Sequence, residues 1–143
     1  MQFDPNNNIV KLCAEGMDLE GKGDAKEAHQ MFQQAWEEAS NNFEKFIAAH
    51  YLARHQSSVL DKLKWDETAL QLALQIEDEN MKANYPSLYL NIAKCYEDLK
   101  DFNKATENFK LAQIYTDNLH NDGYGNMIKS GIKNGIERTV SKL

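Results

Sequence analysis

Two distant stretches of this chain space their large and small residues identically. In one, Leu12, Glu15-Gly16 and Leu19 precede Ala28, Phe32 and Ala35; in the other, Tyr89, Ile92-Ala93 and Tyr96 precede Ala105, Phe109 and Ala112. Leu12 to Ala28 is 16 residues, and so is Tyr89 to Ala105. Large residues at i, i+3 and i+7 form one face of a helix. A turn follows, "GKGDAKEA" or "LKDFNKA", and then a second helix. Gly16 and Ala93 are small where that second helix should cross, and Ala28 and Ala105 are the matching small positions on it. Phe32 and Phe109, one turn on, are expected to fill the gap beside the contact. Asp24 and Asp101 stand where a side chain caps a helix start.

A weaker copy lies between them. "FIAAHYLARHQ", 46–56, reads as a first helix with Leu52-Ala53 at the crossing, and "WDETALQLALQI", 65–76, as a second with Ala69 at the small position. Ala73 stands where the other copies carry Phe. Ala49 to Ala69 spans 20 residues, so four extra residues are expected in the connection "SSVLDKLK", 57–64. After the turn-rich "TDNLHNDGYG", Ile128, Ile132, Ile136 and Val140 recur every four residues, with Gly131 and Gly135 on a neighbouring stripe. Each glycine costs a helix about 1 kcal/mol, so two of them point to close packing.

This pattern resembles the tetratricopeptide repeat (TPR) family, in its short bacterial type. The family's signature is an aromatic, then Leu-Gly, Tyr, Ala, Phe and a final Pro. The third copy departs from it at Ala93 and at Asp117, and the first at Leu12, Glu15 and Ser40. The resemblance implies an all-α, right-handed solenoid of three helix-turn-helix repeats plus a C-terminal capping helix. Repeats of about 9–41, 42–80 and 84–117 and a cap of about 124–141 would make one domain, 1–143. Terminal repeats need such a cover. The alternative for the last helix is an apolar stripe offered to a partner or a second copy.

Composition narrows the function. Ala, Leu, Lys, Glu, Gln and Asn outnumber Val, and only two of 143 residues are Pro, which favours helix. A net charge of −6 disfavours nucleic acid and anionic membrane. No stretch approaches the roughly 18 apolar residues of a span, and "MQFDPNNNIV" has no secretory pattern, so a cytoplasmic protein is expected. Cys13 and Cys95 lack any metal spacing and read as buried thiols. His29, His50, His55 and His120 show no metal motif either. There is no GxSxG elbow, and "GKG", 21–23, is too short for a phosphate loop. An RNA adenine methyltransferase would need an Asn/Asp-Pro-Pro-Tyr motif and a Gly-rich cofactor loop; "DPN" and "YPS" are the only Pro contexts. The expectation is therefore no catalysis, no cofactor and no metal.

The resemblance also implies a binding groove lined by the first helices. Its positions fall on Val10, Cys13, Met17 and Glu20; on Ile47, His50 and Arg54; and on Ser87, Leu90, Lys94 and Glu97. Met17, His50, Arg54, Leu90 and Lys94 are singled out as a small basic cluster with apolar neighbours, suited to a protein or peptide partner, an acidic segment being one candidate. His50 is read there as a histidine near its ordinary pKa. The alternative is that the cations simply pair with Glu97 or Asp98. The positions of the chaperone-tail clamp carry Cys13, Met17, Tyr51, Ser87 and Asn91, so chaperone-tail binding is not expected. The reading is a peptide-binding adaptor, monomer or weak homodimer, set against a self-associating subunit and an enzyme with an unrecognised site.

Overall fold

In a computed structural model, which describes residues 4–143, the chain is all-α. Seven α-helices and two short 3-10 helices, with no strand, are found among the described residues. The packing divides into two compact units, one ending at Ile76 and one beginning at Glu77.

The first unit holds α1 (Asn8–Gly21), α2 (Ala25–Glu38), α3 (Asn42–Ala53) and α4 (Val59–Leu74). Successive helices pack on one another, and α1 also meets α3. Ala28, Phe32 and Ala35 of α2 are fully buried, as are Ala49 and Ala69 at the α3–α4 crossing. The Phe32 ring lies where a side chain of Gly16 would stand, so a Cβ there would overlap it. Phe32 also stacks on Tyr51 of α3, with ring centroids 5.1 Å apart. Trp65 packs edge-on against Trp36, centroids 5.0 Å apart, and both rings are half-buried.

The second unit holds a 3-10 turn (Glu79–Asn84), α5 (Tyr85–Asp98), α6 (Phe102–Ile114), a second 3-10 turn (Thr116–Asn118) and α7 (Gly123–Val140). Here α5, α6 and α7 all pack on one another. Phe109 takes the place of Phe32, but the backbone it meets is that of Gly135 on α7, where a Cβ would overlap the ring. Leu90, Ala93, Ala105, Ala112, Ile128 and Ile132 complete this core.

The turns inside the two matching pairs are alike in detail. Gly23 at φ 84° and Lys100 at φ 63° take the same left-handed conformation. After each, the Asp24 or Asp101 amide donates to Leu19 or Tyr96 at 2.9 Å. The expected caps divide: Asp101 accepts from the Lys104 amide at 3.2 Å, whereas the Asp24 side chain caps nothing.

The structure departs from the sequence reading in two local ways. Residues 59–64 are helical, not a connection, because Ser58 accepts from the Asp61 amide and starts α4 there. The 20-residue spacing arises because α4 begins at Val59, well ahead of Ala69, even though α3 ends early, at Ala53. In α7 the four-residue stripe does not stay buried: Ile128 and Ile132 are covered, but Val140 is exposed and Thr139 is buried instead. A helix turns every 3.6 residues, so a step of four drifts by about 40° each time. Thr139 satisfies its hydroxyl on the Gly135 carbonyl at 2.8 Å.

Alanine at Gly16 or at Gly135 should therefore overpack the unit and lower stability by about 1–3 kcal/mol. Gly131 meets only ordinary contact, with Leu90 Cδ2 3.5 Å from a Cβ built there, so Gly131→Ala should raise stability by up to about 1 kcal/mol. Urea unfolding of the three variants separates these outcomes; a Gly135→Ala protein as stable as its parent would show that the Phe109 ring is not seated on that backbone.

Candidate functional site

Where α1 faces α3, their residues enclose an apolar cleft of about 260 Å³. It is lined by Val10, Cys13, Ala14 and Met17 of α1 and by Ile47 and Tyr51 of α3. Cys13 and Ile47 are buried and form its floor, while Met17 is 46% exposed and stands at its mouth. Burial in this apolar wall pushes the Cys13 thiol up to about 12, so it is a neutral thiol at any ordinary pH.

The helix starts that set this face are firmly tied. Asn7 accepts from the Ile9 and Val10 amides at 2.8 and 3.1 Å and donates Nδ2 to Glu44 at 2.8 Å. Glu44 also accepts from the Ser40 amide at 2.9 Å and hydroxyl at 3.0 Å. The Ser40 amide, then Asn7, hold the Glu44 carboxyl below its usual range. Asn41 caps α3 through the Glu44 amide at 2.9 Å. One buried carboxylate thus pins the start of α1 to the start of α3.

A polar cluster closes the other end. Glu20, at the end of α1, accepts from Arg54 Nη2 and lies 2.8 Å from His55 Nε2. Arg54 stacks over the Tyr51 ring, its guanidinium carbon 4.9 Å from the centroid, which brings a half-exposed cation to the rim of the cleft. Sequence reasoning passed over His55 and Tyr51 as partners here. The signal available was that Glu20 matches Glu97, which in the second unit is clasped by Arg138 at 2.8 and 2.9 Å. That guanidinium holds the Glu97 carboxyl below its usual range.

Of the five residues singled out, Met17 and Arg54 border the cleft. His50 sits beside Tyr51, ring centroids 5.3 Å apart, but is not a histidine near its ordinary pKa. Burial, then the Arg54 and Lys62 charges, lower it to about 4, and its Nδ1 is buried without a partner. It is neutral at pH 7 and adds no charge to a basic cluster. Leu90 and Lys94 lie on α5 in the second unit: Leu90 is buried under α7, and Lys94 is exposed near Glu97. No protein-family model, no curated protein and no solved structure matches the chain. No group of three or more His, Cys, Asp or Glu able to hold a metal is found among the described residues, and none of their helices is long and apolar enough to cross a membrane.

The neutral His50 couples stability to acid. Its folded pKa is depressed below the unfolded value of about 6.5, so the unfolded chain binds the proton more readily. Its contribution is complete above about pH 6.5 and is lost as pH falls toward 4, up to about 3 kcal/mol in all. Urea midpoints at pH 7 and 4.5 should fall less steeply for His50→Gln than for the parent; equal slopes would mean that His50 titrates normally.

Proposed function

We propose that this chain is a helical-repeat protein of the tetratricopeptide kind. It would act without catalysis, as an adaptor that holds a peptide segment of a partner in the cleft between α1 and α3. The observation that carries this reading is the cleft itself, with a buried apolar floor, a half-exposed methionine at the mouth and an arginine at the rim. Grooves that take a side chain share this make-up of mostly apolar walls with few polar groups at the edge. The repeat spacing supports the family, and the likeness of the two Gly23 and Lys100 turns supports a common origin for the two hairpins. The acidic net charge weighs against nucleic acid as the partner.

A second reading, self-association through α7, draws on Tyr124 and Met127, one turn apart and 56% and 59% exposed. Sedimentation at rising concentration decides it: a mass that doubles, and that Met127→Glu returns to the monomer, would favour it, and a constant monomer mass would remove it.

Selection from a random peptide library tests the adaptor reading. Enriched peptides should shift NMR signals of Met17 and Ile47. Met17→Glu should weaken them at least tenfold with little change in melting temperature, because Met17 is half-exposed at the mouth of the cleft. Peptides that select on another face, or no enrichment at all, would overturn the reading.

A further inference from the structure

The second unit carries a filled version of the cleft that the first unit leaves open. Leu90 stands on α5 where Cys13 stands on α1, both 77 residues apart like Leu12 and Tyr89. The third helices register through their caps: Asn41 and Asp122 each accept from the amide three residues on. Counted from those caps, Ile47 and Tyr51 correspond to Ile128 and Ile132. Ile128, Ile132 and Leu90 belong to one buried cluster. Leu90 reaches α7 at Gly131, where its Cδ2 is 3.5 Å from the site of a Cβ. In the first unit His50 stands where Gly131 does, and the short Cys13 side chain leaves an opening whose walls, Ile47 and Tyr51 among them, stay largely apolar.

Resting on the adaptor reading, we infer that the cleft selects a leucine-like aliphatic side chain followed closely by a carboxylate. The aliphatic part is set by the chain's own template: the missing volume is what Leu90 supplies in the other unit. The carboxylate is set by Arg54. That guanidinium lies on Tyr51, a wall of the cleft, and donates to Glu20 through Nη2 alone among the described residues. Its other nitrogens have no acceptor there. Glu20 is meanwhile also held by His55 Nε2 at 2.8 Å, so it does not depend on Arg54 for its only partner. In the second unit the arginine that holds the matching glutamate comes from a different position, Arg138; it gives both Nε and Nη2 to Glu97 and is closed to a ligand in this way. Charge near an apolar slot fixes the direction of the bound segment, because only one orientation places both groups.

The probe is 4-methylpentanoate, which joins the leucine side-chain shape to a carboxylate. Titrated into the 13C-labelled protein, it should shift the Met17 and Ile47 methyl signals saturably. 4-Methylpentanamide should bind at least fivefold more weakly, and acetate should not shift these methyls. Arg54→Gln should erase the difference between acid and amide. Cys13→Leu should fill the cleft as Leu90 does, abolishing the shifts while holding or raising the melting temperature. Should Cys13→Leu fail to fold, Ile47→Phe blocks the same space and should likewise abolish them. Absence of saturable shifts, retention of them with the cleft blocked, or equal binding of acid and amide to the parent would overturn the inference. Library peptides that occupy the cleft but enrich aromatic or basic residues would overturn it too, while leaving the adaptor reading standing; peptides that bind elsewhere remove that reading itself.

Discussion

Each unit is organised by one contact, an aromatic ring pressed onto bare backbone. Phe32 and Phe109 hold the same place on the second α-helix of their units, and both are fully buried. The glycine that admits the ring differs. In the first unit it is Gly16, on the helix before; in the second it is Gly135, on the helix after. The physical demand is the same in both: close packing leaves no room for a ring and a Cβ together. Seating the ring draws that second helix against its neighbour, and the small Ala28 and Ala105 allow it to come close. The first and third helices then meet, as α1 meets α3 and α5 meets α7.

What those helices present to each other decides whether the meeting line is a core or a cleft. Leu90 with Ile128 and Ile132 makes it a core. Cys13 with Ile47 and Tyr51 leaves it open. Both units close one end with a glutamate from the first helix held by a cation from the third, Glu20 by Arg54 and Glu97 by Arg138. Partly exposed pairs of this kind contribute little to stability, about 0–1 kcal/mol. They are better understood as fixing how one helix end sits beside the other.

The spacing of large and small residues made the helical hairpins legible, because a crossing needs small residues at set positions whatever the rest of the chain does. It also placed Val10, Cys13, Met17 and Ile47 on a shared face. Other features escaped it. The Ser58 cap lies in "SSVLD", which reads equally well as a loop, so α4 was expected to begin later than it does. Val140 followed a four-residue stripe that a real helix carries out of the core, and Thr139 moved in. Leu90 occupies a groove position that becomes interior once α7 covers it. His50 looked like a charged group because sequence gives its type and neighbours along the chain; its neutrality comes from burial and from Arg54 and Lys62.

The size of the cleft limits what it can contribute. At about 260 Å³ it lies below the roughly 300–1,000 Å³ of sites that enclose a whole small ligand. It suits one side chain. Burying such a chain supplies about 0.8 kcal/mol for each CH₂, or roughly 1.5–3 kcal/mol for a leucine, before the entropy of ordering the segment is subtracted. Set beside the about 8 kcal/mol of a micromolar complex, that is a minor share. A tight partner must therefore gain most of its affinity outside the cleft. Selection is what the cleft can provide, since a side chain too large meets the buried Ile47 floor and a carboxylate set in the reverse direction lies toward the Asn7–Glu44 end, away from Arg54.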